Sequence, residues 1–583
     1  MAEVLGYTFG DNECEGIPVV NTESNERAPF IELRQLDGST AVRGERQALL
    51  GTVTKSVDDQ PVEGCYAGWH FDGETLRVYS CRHGIYPLYY ACNNGAIAVS
   101  PSIPALLSLG ISSALDDDAV AAFLRLGFFL DCDTAFRAIR RVPPNADIRW
   151  SNGSPTVRGN YYFPPSHGLS GPRAIDAFNN AFDAAMAKPR DSDDFAVPLS
   201  GGRDSRHIAF ALHAAGRTPR FYVTAEHLPP RFSEDMPIAR ALAEALGVPH
   251  VAVPQGPSRF EQERKHDPLV NFSSFEHAWF LPLADFLSAH VSGIYDGLGG
   301  GPLCNGTYLD QEKRELFERS DLRPLAERWI DEFGWLGGNQ ALEQTLLPGF
   351  YNRISREKAV ARIVTELERH RAAVNPVQSF IFWNRVRAGN ALVSYGIFRD
   401  LSVVSPYLDY DLVALLSGLS PEAFINHDFH DVAIRKRYPQ FAGIPFEAKQ
   451  IRWVRQRRKF MRYGWELFAY AAGRRRSDIV DLRFLRWRAL RLGLDGRYNK
   501  ARPWKPSRVH FLLRLEALVE RSGGLVGSSL GEQPSSTGRG VPNCAMQDLA
   551  ARQMKSRPAP MTRRPQFPLA VRHAPDGSDA RSD

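Results

Sequence analysis

No two cysteines in this chain stand at C-x-x-C spacing. Only 7 occur in 583 residues, at positions 14, 65, 81, 92, 132, 304 and 544. Such scatter argues against a disulfide framework or a zinc knuckle and for a reducing compartment. Basic residues are also missing near the amino terminus, where Glu3, Asp11 and Glu13 stand. A signal peptide would instead begin with positive charge and an apolar run. No unbroken apolar stretch approaches the ~18 residues that a membrane span requires. These absences lead to the expectation of a cytoplasmic protein with no membrane partner.

What is present is globular in balance. Apolar residues make up 43% of the chain and charged residues 23%, enough to bury large cores. The length calls for two domains and appendages. The formal net charge of +5 conceals an uneven distribution, because residues 449–521 hold 21 Lys and Arg against 6 Asp and Glu, leaving the preceding body net acidic. A basic segment suits an anionic partner such as substrate phosphates, an acidic peptide, nucleic acid or lipid headgroups; equally, it can pair with its own acidic body.

The pattern along the chain changes once. Up to residue 165, short β-type runs (Leu76–Ser80, Pro87–Ala91, Ala96–Val99) alternate with breakers such as Asn93-Asn94-Gly95. A Pro/Ser/Gly-rich stretch over 164–172 reads as a linker. Strands and amphipathic helices then alternate, as in a parallel α/β sheet. The strands are expected at Phe195–Leu199, Arg220–Ala225, His250–Val253 and Ser292–Asp296, with helices at Asp204–Ala215 and Pro237–Leu246 ending at Gly216 and Gly247. Beyond about residue 310 the reading is helical, and residues 523–583, rich in Gly, Ser, Pro and Arg, read as a disordered tail.

One strand runs directly into Ser200-Gly201-Gly202-Arg203-Asp204-Ser205 and then into a helix. Glycines let backbone approach an anion, and the amides at a helix start present partial positive charge to it. Ser200 and Ser205 add hydroxyls. Asp204 would repel a phosphate unless a divalent cation bridges the two. The loop is not the G-x-x-x-x-G-K-[ST] loop of kinases and GTPases.

Leu199 to Ser205 resembles the pyrophosphate-releasing loop of the asparagine synthetase family, whose relatives include β-lactam synthetases and lasso-peptide cyclases. Three other stretches agree in order: Gly84-Ile85-Tyr86-Pro87-Leu88-Tyr89-Tyr90 with Ser100, Ser233-Glu234-Asp235 through Ala239, and Ser405-Pro406-Tyr407-Leu408-Asp409. The resemblance spans roughly residues 60–460. It implies an α/β protein with an Ntn-hydrolase-like, glutamine amidotransferase type 2-like α+β domain at 1–165. A PP-loop ATP pyrophosphatase domain with a helical carboxy-terminal part would follow at 172–520.

It also implies the chemistry. A carboxylate would be adenylated by ATP with Mg²⁺, and an amine would take the acyl group, with AMP and pyrophosphate as products. The implied nucleotide-site residues are Leu199, Ser200, Gly201, Gly202, Asp204, Ser205, Val223 and Gly297, with Asp204 and Asp296 as metal ligands. Lys449 stands where the family has its late catalytic lysine, with Lys459 as competitor. Arg385 and Arg387 are candidates to face the substrate carboxylate or to form salt bridges. His427-x-x-His430 stands without supporting acidic ligands and reads as a loop.

Two departures matter. Glutamine-using members carry a nucleophilic cysteine after the initiator Met, whose free amine is the base; here position 2 is Ala, and the domain reads as a relic that makes no ammonia. The family's G-[DE]-G-x-D-E turn is here Asp296-Gly297-Leu298-Gly299-Gly300-Gly301-Pro302, without the D-E pair. A peptide or natural-product intermediate is among the candidate substrates, and a nucleic-acid partner is not expected. Alternatives left open are asparagine synthesis from aspartate with ammonia or glutamine, transfer-RNA modification, and a degenerate ATP-binding protein without catalysis.

Overall fold

Asn94 and Gly95 both take positive φ, 45° and 76°, the handedness that a two-residue hairpin turn requires. The Asn93-Asn94-Gly95 breaker therefore joins two paired strands, with Asn93 opposite Ala96. In this computed structural model the described residues are 28–36, 39–57, 60–188, 193–226, 235–334, 339–447, 457–496 and 506–523. They belong to one compact unit. Positions 1–27, Ser233, Glu234, Lys449 and the tail from 524 lie outside the described residues.

The first half holds β1 (Ile31–Leu36), β2 (Ser39–Gly44), β3 (Gln47–Val57), β4 (Gln60–Phe71), β5 (Thr75–Ser80), β6 (Tyr89–Asn93), β7 (Ala96–Ser100), β8 (Arg140–Arg141), β9 (Asp147–Ser151) and β10 (Ser154–Arg158). They form two antiparallel sheets in the orders β2-β1-β7-β6-β8 and β10-β9-β5-β4-β3. Alternation places Ile31, Leu33, Ile97 and Val99 of one sheet against Trp69, Val78, Ile148 and Trp150 of the other in a common core. Pro87 has no amide to donate to a ladder, and the strand expected at Pro87–Ala91 begins at Tyr89 instead. Helices Ile103–Ser108 and Asp117–Leu126 follow, capped by Ser102 and Asp116 side chains.

A second core is built on β11 (Phe195–Pro198), β12 (Tyr222–Ala225), β13 (His250–Val253), β14 (Gly293–Tyr295) and β15 (Ser402–Val404). All pairs are parallel, in the order β13-β12-β11-β14-β15. Every residue of β12 is buried, as a sheet covered on both faces demands. Strand order reverses between β11 and β14, and the crevice beyond their carboxyl ends is where such sheets bind ligands. The four strands expected in this part occur at these places, with ends shifted by a residue or two. β15 was not anticipated: three residues carry no period.

The fold is thus mixed α/β, two antiparallel sheets followed by a parallel one. Arg387 is fully buried and donates to the carbonyls of Asp131 and Val142, both at 2.8 Å. It ties the two halves together, which corrects the expectation that it faces a substrate. Among the described residues no helix is long and apolar enough to cross a membrane.

Candidate functional site

The loop after β11 and the turn after β14 meet at the strand-order reversal. Leu199 continues β11 by donating its amide to Val223 O at 2.8 Å, and Val223 is fully buried, so both serve the sheet. From Ser200 the chain folds on itself. The Ser200 amide donates to Ser205 Oγ at 3.1 Å and the Gly202 amide to Ser200 Oγ at 3.1 Å. The Gly201 amide donates to Asp235 Oδ1 at 2.9 Å. The loop is held open from within, and the helix Asp204–Ala214 starts directly after it, with its first-turn amides lacking intrahelical partners.

Asp204 is turned inward, onto the glycine turn. A Cβ on Gly300 would lie 2.6 Å from Asp204 Oδ1, and one on Gly297 would lie 2.8 Å from Asp204 Cβ. Those two glycines therefore shape a cradle that only hydrogen at Cα leaves free. Asp296, at the end of β14, accepts from Ser394 Oγ. Burial pushes the Asp296 carboxyl above the usual carboxylate range, the Ser394 hydrogen bond opposes this, and the Asp204 charge raises it further. Two carboxylates in mutual repulsion at a glycine-lined turn form a site that a cation would relieve. Asp204 Oδ1 is buried and makes no hydrogen bond, with His430 Nδ1 3.4 Å away. Among the described residues no group of three or more His, Cys, Asp or Glu forms a ready-made metal cage; Mg²⁺ beside phosphates needs only one or two carboxylates. Asp204 and Asp296 are the carboxylates that a divalent ion at this turn would use.

Beneath Asp204 lies a cluster that sequence reasoning missed. His430, fully buried on the helix Phe429–Arg437, brings Nδ1 to 3.4 Å from Asp204 Oδ1 without hydrogen-bond geometry. Its Nε2 is 3.1 Å from His207 Nδ1 and 3.3 Å from Tyr407 Oη, while the Tyr407 hydroxyl donates to Asp204 O at 3.1 Å. Burial drives the His207 pKa well below its ordinary value, with His430 adding to the effect, so this imidazole is neutral. Tyr407 comes from the Ser405–Asp409 turn, which thereby acts as a strut under the loop. His430 was expected in a loop; it is helical and belongs to the site. His427 takes φ 58° and bonds Asn305 O, outside the cluster.

The segment Ile444–Glu447 closes over the loop. Arg206 donates to Ile444 O (2.9 Å), Pro445 O (2.7 Å) and Gly201 O (3.3 Å), and the Glu447 amide donates to Gly201 O at 2.9 Å. Arg203 is paired with Asp431, and both arginines lie over the Phe446 ring. Lys449 is two positions beyond Glu447, outside the described residues; Lys459 falls in the first turn of the helix Arg457–Gly473, with its side chain outside them. Arg385 forms an ion pair with Glu276. Its Nη2 reaches both Glu276 oxygens at 3.1 and 3.0 Å, beside the rings of Phe128, Tyr308 and Phe333. The salt-bridge role is the one observed.

Gly300→Ala should tell whether the cradle matters. Its methyl collides with the Asp204 carboxylate, so magnesium-dependent nucleotide binding should fall at least tenfold, with a stability loss of about 1–3 kcal/mol from overpacking. Unchanged magnesium dependence in calorimetric titrations would show that the cradle does not set the position of Asp204.

No protein-family model matches the chain, and no curated protein matches it. Among solved structures, the structure of NMN synthetase from Francisella tularensis aligns at 15% identity over 37% of this chain and 93% of that chain, with a TM-score of 0.19. The structure of the allosteric regulatory enzyme of purine biosynthesis aligns at 12% identity over 34% of this chain and 49% of that one, with a TM-score of 0.13. At such scores neither likeness bears on fold or activity.

Proposed function

We propose that this protein is an ATP-dependent, AMP-forming ligase of the asparagine synthetase-like kind, which adenylates a carboxylate and hands the acyl group to an amine. One observation carries the reading: the Asp204 carboxylate sits in a glycine cradle beside Asp296, at the strand-order reversal. On this reading the Ntn-like half, 1–165, is a glutamine amidotransferase relic, and 172–520 is the PP-loop ligase domain.

The chain's contribution is positional and electrostatic. Mg²⁺, when held by Asp204 and Asp296, supplies the positive charge that offsets departing pyrophosphate. The first-turn amides of Asp204–Ala214 would face the phosphates, Ser200 and Ser205 would contribute hydroxyls, and the Tyr407 hydroxyl holds the Asp204 backbone carbonyl from below. The carboxylate attacks the α-phosphate, pyrophosphate leaves, and the amine then displaces AMP from the acyl group. Magnesium-dependent exchange of labelled pyrophosphate into ATP, screened over amino-acid, peptide and other carboxylates, is the test. Exchange with one of them supports the proposal. Nucleotide binding without exchange for all of them would favour the second reading, a nucleotide-binding protein without chemistry. That reading draws on the Ser200, Gly201 and Gly202 amides, which are already satisfied by the protein.

Glutamine should not serve as nitrogen donor. Among the described residues Cys65, Cys81 and Cys304 are buried, and burial pushes the Cys92 and Cys132 thiols up to about 12, where thiolate is scarce. Mass spectrometry after exposure to a glutamine-analogue electrophile should find no adduct. Stoichiometric labelling of one cysteine, with glutamate released from glutamine by the untreated protein, would refute this.

A further inference from the structure

The described part of the basic segment folds as three helices, Arg457–Gly473, Leu482–Leu494 and Pro506–Arg521, of which the first two form a hairpin. Arg486 Nε donates to Ala471 O at 3.0 Å, and a Cβ on Gly464 would lie 2.8 Å from Gly493 Cα. The pairings 471 with 486 and 464 with 493 make the hairpin antiparallel, and the two glycines permit its close crossing.

Each helix leaves one stripe exposed. On the first it is Arg458, Arg462, Trp465, Ala469 and Ala472; on the second, Arg483, Trp487, Arg491 and Leu494. Both follow the helical three-to-four spacing, so each is a single face. The stripes meet at the crossing. A Cβ on Gly493 would be 3.0–3.2 Å from three Trp465 ring atoms, so this indole lies across the end of the second helix, beside Leu494. Trp465 and Trp487 are 44% and 46% exposed, and Leu494, at 57%, is the most exposed large apolar side chain among the described residues.

Neither stripe contains an acidic residue. Glu466, beside Trp465, is engaged by Arg462 at 2.7 Å and by Ser258 at 2.9 Å, and Asp481 is used as the cap of the second helix. Residues 457–496 hold 11 Lys and Arg against 4 Asp and Glu, and Arg475 and Arg476 lie exposed in the connection. The face combines excess positive charge with apolar tips that water does not reward.

We infer that this hairpin is a docking face for an anionic lipid bilayer. Tryptophan and leucine enter the headgroup–acyl boundary, while arginine stems lie along it and their guanidinium groups reach lipid phosphates. Nucleic acid would use the arginines and the indole faces, but it gives no role to an exposed leucine and two alanines in the same stripes. The docking is peripheral and needs no spanning helix. It revises the expectation of no membrane partner, and it does not depend on the ligase reading.

The test is co-sedimentation of the purified full chain with vesicles of phosphatidylcholine alone or mixed with phosphatidylglycerol. Binding should require phosphatidylglycerol and weaken with added salt, because screening acts on the arginine contribution. Arg458→Ala and Arg483→Ala should each lower partitioning about fivefold, the equivalent of ~1 kcal/mol per basic side chain at an anionic surface. Trp465→Ala with Trp487→Ala should lower it further at high salt, where apolar insertion remains. Leu49→Ala, an exposed apolar change elsewhere, should leave it unaltered, and circular dichroism should show every variant folded. Equal sedimentation with neutral vesicles, none with either, or indifference to both arginine variants and to the tryptophan double variant would overturn the inference. So would displacement from vesicles by a single-stranded RNA oligonucleotide at lower concentration than lipid.

Discussion

Asp204→Asn should abolish magnesium-dependent pyrophosphate release, by at least about 10³-fold, while the protein remains folded and its thermal midpoint does not fall. The loss follows from chemistry. An amide fills the same cradle between Gly297 and Gly300 but carries no charge for a hard divalent cation, whose phosphate partners then repel the site unopposed. The retained stability follows from electrostatics. Burial and the Asp204 charge both hold the Asp296 carboxyl above its ordinary pKa. A group whose folded pKa is raised is most favourable below its unfolded pKa, and that advantage is lost as pH rises through the folded value. Ionising Asp296 in its buried place is therefore a cost to the fold, and neutralising Asp204 removes part of it. Activity lost together with a large drop in midpoint would mean that Asp204 is structural. Turnover at the wild-type rate would remove it from the mechanism.

Legibility from sequence followed the length scale of each feature. The loop was readable because strand, glycines and helix are contiguous over about a dozen residues, and β11, β12, β13 and β14 lie where short apolar runs placed them. The His430 contribution was not readable. The carboxylate nearest its Nδ1 is that of Asp204, and its imidazole partner, His207, is 223 residues away along the chain. Arg385 and Arg387 share one helix and one residue type, yet one is paired with Glu276 and the other caps carbonyls of the opposite half. Only long-range packing separates those roles. After Asp296 the sequence shows glycines and lacks the D-E pair. That they make room for Asp204 needed the geometry.

Lys449→Ala should slow turnover by about 10²–10³-fold, or roughly 3–4 kcal/mol in activation, with little change in nucleotide affinity. A cation near the α-phosphate favours the transition state over bound ATP, because negative charge gathers there as pyrophosphate departs. Among the described residues, the two arginines lying against the loop are already committed. Arg203 is held by Asp431, and Arg206 is spread over three carbonyls. Arg206 is also pushed down to about 10 by burial, which marks it as a strut and not as a mobile charge. The chain passes the loop at Glu447, whose amide is bonded to Gly201 O, and Lys449 follows two residues later. No lysine in the sequence stands nearer to that anchor. The comparison to make is Lys449→Ala against Lys459→Ala, scoring turnover and nucleotide binding separately. If Lys459→Ala is the inactive variant, the cation comes from the helix that starts at Arg457 and the assignment moves by ten positions. If both turn over at the wild-type rate, neither lysine supplies the charge, and Arg452 or Arg455 from the same basic run takes its place in the test.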